Sequence, residues 1–194
     1  MPSVRTSDRT PSSSTSLKKY PDAAIITIDD DTIYRHDLVE NLVAAHNKTP
    51  DHIVAYRIHR IMLEGGRPQS FLKWANGTQV DDDSLLNFFA GVGGVLYPAH
   101  CLSDEVFCED VFMSICPHAD DVWFYAMALL KGTRTIQCKG KDLLGENYID
   151  FPQSAENPLW AINTTKKRDG TCANDTQLKA VFDRYGLWDM LLEK

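Results

Sequence analysis

Paired cysteines, long apolar runs and an excess of basic charge are all missing from this 194-residue chain. The cysteines are Cys101, Cys108, Cys116, Cys138 and Cys172, an odd number with no Cys-x-x-Cys among them. That argues against a disulfide framework and against a thiolate zinc site, and points to reduced thiols in a cytoplasm. The longest unbroken apolar run, Val122 to Leu130, falls well short of the roughly 20 residues needed to cross a bilayer. No apolar N-terminal stretch resembles a signal peptide, so the Asn-x-Ser/Thr matches at Asn47, Asn76, Asn163 and Asn174 carry little weight. The net charge of −7 repels phosphate backbones and argues against a general nucleic-acid binder. It leaves a nucleotide ligand open, because a bound cation reverses the local sign.

What is present is ordinary globular material, with 43 % hydrophobic and 24 % charged residues, in a length that suits one domain with a core of its own. Residues 1–16 are rich in Ser, Thr and Arg and nearly free of large apolar side chains, so a disordered tail is expected there, followed by a single α/β domain over 17–194. Leu17 to Tyr20 reads as the end of a helix stopped by Pro21. Ala23 to Ile28 is rich in β-branched residues and reads as a buried strand of a parallel sheet. Helical spacing covers Asp37 to Asn47, and Ile53 to Ile61 reads as one further strand. Turn residues from Gly65 to Asp83 predict a long loop of the kind that forms lids or binding segments. Leu85 to Tyr97 is apolar but broken by glycines. A helix is expected over Asp120 to Lys131 with Gly132 as its stop, a strand over Thr133 to Cys138, and a last helix from near Asp175 to Gly186.

The chemistry-bearing candidates begin with Asp29-Asp30-Asp31, which closes the first strand. In open α/β sheets, ligands bind beyond the carboxyl ends of the strands. Three adjacent carboxylates repel one another unless a cation or donors compensate, and hard divalent cations prefer carboxylate oxygen. The competing reading is a solvated acidic loop. Asp81-Asp82-Asp83 is the built-in control, since it follows no strand and reads as plain solvated surface.

Several segments taken together carry a resemblance. Ile25-Ile26-Thr27-Ile28-Asp29-Asp30-Asp31 resembles the strand and DxD motif of GT-A nucleotide-sugar glycosyltransferases. Gly91-Val92-Gly93-Gly94-Val95-Leu96-Tyr97-Pro98 resembles their glycine-rich segment beside the sugar. Cys116-Pro117-His118-Ala119-Asp120-Asp121-Val122-Trp123 is similar to their acidic motif at a helix start. Asn174-Asp175-Thr176-Gln177-Leu178 looks like a C-terminal element of a bacterial branch. The matches keep the family's order over about residues 17 to 192.

That resemblance implies a partial GT-A fold, Rossmann-like, with a mostly parallel sheet flanked by helices. It implies a metal-dependent, inverting transfer of a sugar from a nucleotide-diphosphate donor to a saccharide or lipid-linked acceptor in cell-surface polysaccharide synthesis. It further implies a cytoplasmic location at or near the inner membrane face. The implied roles are Asp31 and Asp29 on Mn²⁺ or Mg²⁺, Asp29 and Asp30 on the donor, and Asp121 as general base ahead of Asp120. Gly91, Gly93, Gly94 and Trp123 would meet the sugar or acceptor, with Trp74 as another stacking candidate. Since adjacent helical residues do not face the same way, one of Asp120 and Asp121 is expected to cap the helix and the other to reach the cleft.

Two departures qualify the resemblance. Only 28 residues precede Asp29, too few for the two βαβ units that would hold the nucleotide, so the chain reads as an N-terminally truncated member and a poor enzyme by itself. No histidine follows His118 to serve as a late metal ligand, which leaves Asn174, Asp175 or water. The glycines have a structural reading as a turn, and the two Asp at the helix start a reading as dipole partners. The alternatives to a transferase are a non-catalytic binding module of the same fold and a metal-dependent phosphohydrolase.

Overall fold

A computed structural model describes residues 12–30, 32–139, 148–150 and 159–192. The chain runs through α1 (Ser12–Lys19), β1 (Ile25–Thr27), β2 (Thr32–Tyr34), α2 (Leu38–His46), β3 (Ile53–Ala55) and β4 (Ile58–Arg60). Next come a hairpin of β5 (Leu63–Glu64) and β6 (Arg67–Pro68), then β7 (Asn87–Phe89) and β8 (Val95–Tyr97). The remainder is α3 (Glu109–Ile115), α4 (Asp120–Lys131), β9 (Thr135–Gln137), β10 (Tyr148–Asp150), α5 (Leu159–Thr164) and α6 (Ala173–Tyr185). Ser12 to Ser16, expected to belong to a disordered tail, lie in α1; residues 1–11 are outside the described residues. No helix among the described residues is long and apolar enough to cross a membrane.

The main sheet has the order β1-β8-β3-β9. β8 runs antiparallel to both β1 and β3, and only the β3–β9 ladder is parallel. The expected mostly parallel sheet is therefore corrected to a mixed one, in which β1, β3 and β9 share a direction and β8 opposes them. The period of two is visible across this sheet. Val54, Tyr56 and Leu96 face one way and pack with Leu38 and Leu42 of α2 and with Cys138. Ile53, Ala55, Val95 and Tyr97 face the other way, into the larger core. Strands buried on both faces need continuous apolar runs, which is why β3 and β8 carry no alternation of apolar and polar residues.

The single strand expected over Ile53 to Ile61 is in fact two. β3 belongs to the main sheet, whereas β4 leaves it to pair with β7. The break falls at Tyr56 and Arg57. The expected long loop holds a hairpin, a 3-10 turn at Phe71–Lys73 and a bridge from Arg60 to Ala75. Sequence reading also missed α3 and β2, both short elements without a clear periodicity.

The larger core is built on α4. Every residue from Val122 to Leu129 is buried, so this helix is apolar on all sides and must be enclosed rather than laid on a surface. Gly132 stops it at φ 81°, a conformation in which a side chain is strained. Trp123, expected to stack on a sugar, is 1 % exposed, and its Nε1 donates to the Val106 carbonyl at 3.3 Å. It is a core residue with no face to offer a ligand. Trp74 is likewise enclosed by Phe71 and Phe88, with its Nε1 on the Gln69 carbonyl at 2.9 Å.

Charge pairing fastens the outer loops. Asp81-Asp82-Asp83, expected to be merely solvated, is spread over three partners. Asp82 takes the Arg60 guanidinium at 2.7 Å and 2.9 Å, Asp83 meets His52 at 3.2 Å, and Asp81 pairs with Lys139. His59 is buried between Phe71 and Phe88 and accepts the Gly77 N–H at 2.9 Å. Burial pushes its pKa down to about 4, so it is a neutral acceptor at pH 7.

Asp175 ties the first turn of α6 to the 65–83 segment. Its Oδ2 accepts from Ser70 Oγ at 2.7 Å and from the Cys172 N–H at 2.8 Å, and its Oδ1 accepts from the Phe71 N–H at 2.6 Å. Asp175→Asn keeps the shape but leaves one oxygen to serve three donors. It is expected to cost about 2–3 kcal/mol in urea unfolding, at roughly 1–1.5 kcal/mol per hydrogen bond lost. Amide protection over residues 69–75 should fall with it. A cost under about 0.5 kcal/mol would show that solvent replaces these bonds freely.

Candidate functional site

The register of the sheet decides what meets what. Thr27 of β1 and Ala55 of β3 both stand opposite Val95, the first residue of β8. Because β8 runs the other way, the glycine segment leading into it lies at the carboxyl ends of β1 and β3. Asp29 follows β1 by two residues and Arg57 follows β3 by two, so both arrive beside the Gly91–Gly94 turn. This is the edge at which α/β sheets bind ligands.

Contacts confirm the juxtaposition. The Asp29 N–H donates to the Tyr34 hydroxyl at 2.9 Å, and that hydroxyl also meets the backbone of Gly93. The Ala90 N–H donates to the Arg57 carbonyl at 3.0 Å. The next N–H along, that of Gly91, donates to Asp121 Oδ1 at 2.9 Å. Two successive backbone donors thus hold Arg57 and Asp121 on one turn.

The glycines are needed for packing. Gly93 and Gly94 adopt φ of 104° and 91°, which a side chain disfavours. A Cβ on Gly94 would stand 3.2 Å from Leu38 Cδ1, and one on Gly91 would stand 2.9 Å from Asp121 Oδ1. The room left by the missing side chains at Gly91 and Gly94 is therefore filled from within the protein, by the carboxylate at Gly91 and by leucine at Gly94. Both Gly93 and Gly94 are buried.

Neither acid of α4 is the N-cap that was expected of one of them. The N-cap is Ala119, which has no side-chain cap bond. Asp120 and Asp121 are the first two helical residues, and Asp120 Oδ1 accepts the Asp121 N–H at 3.0 Å. Asp120 is exposed and Asp121 half-buried. Desolvation nonetheless raises both carboxyl pKa values, and Asp121 well above the ordinary range. The negative charges of Asp120 and Asp29 push Asp121 further up, while the Gly91 N–H and Arg57 pull it down. Tyr97 lies close enough that both acids raise its already elevated pKa, behind the larger effect of its own burial.

The cation site is less complete. Asp29 and Asp30 are exposed and offer oxygen donors of the kind Mg²⁺ and Mn²⁺ take. Asp31, expected to bind the metal directly, lies outside the described residues. Among the described residues no three His, Cys, Asp or Glu side chains converge as a ligand set. Asp175 cannot replace the missing late histidine, since both of its oxygens are committed to Ser70, Phe71 and Cys172. Sequence reading missed Arg57, Tyr34 and Tyr97. Tyr97 stood inside the glycine-rich segment, whereas Arg57 shows its place only once Ile53 to Ile61 is split.

No protein-family model matches the chain, and neither a curated protein nor a solved structure does.

The electrostatics of Asp121 have a consequence for stability. Its folded pKa is raised above the ordinary 3.8, chiefly by desolvation. The folded state therefore binds the proton more tightly than the unfolded chain. The stability this contributes is fully present below pH 3.8 and is lost as pH rises toward the raised folded value. As pH rises above 3.8, the raised proton affinity of this side chain works increasingly against folding. Asp121→Asn, whose amide oxygen still accepts from Gly91, is expected to raise the melting temperature at pH 7. The gain should shrink as the pH falls toward 3.8. A melting temperature that drops at pH 7 would mean the carboxylate is compensated in the folded state.

Proposed function

We propose that the chain is a metal-dependent, inverting glycosyltransferase of the GT-A type. It would transfer a sugar from a nucleotide-diphosphate donor to a saccharide or lipid-linked acceptor in cell-surface polysaccharide synthesis. One observation carries the reading. The glycine segment and the acidic helix start, far apart in sequence, are joined by the Asp121–Gly91 bond of 2.9 Å, and Asp29 comes to the same turn through the Tyr34 hydroxyl. The donor and acceptor classes rest on the motif resemblance.

In this reading Asp121 is the base. Gly91 holds one carboxylate oxygen, which leaves the other for the acceptor hydroxyl. As the hydroxyl oxygen bonds to the anomeric carbon, the bond from that carbon to the diphosphate breaks and the hydroxyl proton passes to Asp121. A raised pKa makes Asp121 a stronger base than an ordinary aspartate, which suits proton abstraction near neutral pH. A divalent cation held by Asp29 and Asp31 would supply charge stabilisation to the departing diphosphate. Asp120, with one oxygen on the Asp121 N–H, keeps the first turn of α4 formed and adds to the negative field on the base.

Asp121→Asn is expected to lower turnover by about 10²–10⁴ while leaving donor affinity unchanged, as loss of a general base does. Asp120→Asn should cost less. The check is steady-state transfer from a panel of nucleotide-sugars with Mn²⁺, alongside calorimetric donor binding. If Asp120→Asn abolishes transfer and Asp121→Asn does not, the base is misassigned.

Asp31→Ala is expected to remove the response of transfer to Mn²⁺ without lowering the melting temperature. Transfer that survives this change with its metal dependence intact would end the role of the acidic triplet.

A further inference from the structure

We propose that Gln177 and Asn163 are positioning residues for Asp121, acting through the backbone of His118. The His118 N–H donates to Gln177 Oε1 at 3.0 Å, and the His118 carbonyl accepts from Asn163 Nδ2. The two amides close the ring, with Gln177 Nε2 donating to Asn163 Oδ1 at 3.3 Å. Both are buried, at 8 % and 7 % exposure. The backbone of His118 is thus gripped at its N–H and at its C=O, which belong to two successive peptides, by two side chains from two different helices, α5 and α6.

The position of that backbone matters because α4 has no side-chain cap. A helix start without a cap frays unless something else holds it. Here the Ala119 carbonyl, one residue after His118, accepts the Trp123 N–H at 3.2 Å and the Cys116 thiol at 3.0 Å. The orientation of the His118 backbone therefore sets where α4 begins and which way Asp120 and Asp121 leave it. Asp121 must reach the Gly91 N–H, so a small rotation at residue 118 would break that contact. Two buried amides are a costly way to join α5 and α6, since apolar side chains of similar size would fill the space without unmet hydrogen-bonding groups. Their arrangement around the backbone of a single residue gives them a use beyond packing. The assignment of Asp121 as the base rests on the function proposed above; the positioning itself does not.

The test uses Gln177→Met, which keeps the volume and removes the amide, and Gln177→Glu, which keeps an acceptor for the His118 N–H. In the whole chain, Gln177→Met is expected to speed amide exchange at Gly91 and over residues 118–122 about ten-fold, the loss of one to two hydrogen bonds, with residues 124–130 unchanged. Followed by ¹³C NMR, the titration of Asp121 should move down toward the ordinary aspartate range as the side chain leaves its desolvated place. Asp120, Asp29 and Arg57 are the other charges acting on that titration, and their variants serve as controls. Gln177→Glu should restore the protection at Gly91. If Gln177→Met leaves Gly91 and Asp121 untouched, or loosens α4 and α6 uniformly, the amides are structural only and the proposal is overturned. In transfer assays with nucleotide-sugars and Mn²⁺, the Met variant should lower kcat at unchanged KM. If the unmodified chain transfers no sugar while the exchange and titration results come out as expected, the transferase reading fails and the positioning stands.

Discussion

Helix α4 is apolar on every side from Val122 to Leu129, and a helix with no wet face has to be surrounded. The strands β3 and β8 cover it with Ile53, Ala55, Val95 and Tyr97, and α6 covers it with Leu178, Val181 and Phe182. Most of the remaining structure follows from this enclosure. The sheet must present an apolar face inward, α6 must lie alongside, and the loops before and after α4 must cross its ends. The N-terminal end of the enclosed helix is also the end that carries Asp120 and Asp121. Burying α4 therefore brings two carboxylates to the carboxyl edge of the sheet, where Asp121 meets the Gly91 N–H.

The cost of that placement shows in the raised proton affinity of Asp121, which desolvation dominates. Holding such a group costs the folded state stability as pH rises above 3.8. Gly91 has no side chain where a Cβ would strike the carboxylate, and Arg57 tempers the charge. By contrast, the acids of the second triplet are each matched to a basic partner at the outer surface, and such exposed pairs serve mainly to fasten loops. Asp29, two residues past the end of β1, instead lies beside the Gly91–Gly94 turn and adds to the negative field on Asp121.

The first turn of α6 links the two sides of the molecule. Asp175 holds the segment around Phe71, and Gln177, two residues on, holds the peptide before α4. Asn174 is buried between them. The motif that suggested a C-terminal family element thus contributes geometry, and its acid is too fully engaged to serve as a metal ligand. Protein atoms touch the binding edge from four places in the sequence: the ends of β1 and β3, the turn before β8, and the start of α4. A change at α6, far from that edge, reaches it through one loop.

Local patterns were enough to find β1, α2, α4, β9 and α6 within a few residues, because apolar periodicity and glycine stops act through neighbouring residues alone. The same reasoning placed Asp29 at a strand end and Asp121 at a helix start. It could not split Ile53 to Ile61 into strands of two different sheets, because the break at Tyr56 and Arg57 is imposed by pairing with β8 on one side and β7 on the other. It put Trp123 and Trp74 on a sugar, because exposure of an aromatic is a property of what packs over it. It expected a mostly parallel sheet and read 85–97 only as an apolar stretch broken by glycines, since strand polarity leaves no mark in a run of apolar residues. Only the folded chain decides that β8 runs backward between β1 and β3. That reversal brings the glycine turn to the carboxyl ends of its neighbours, and with it the Gly91 N–H to Asp121.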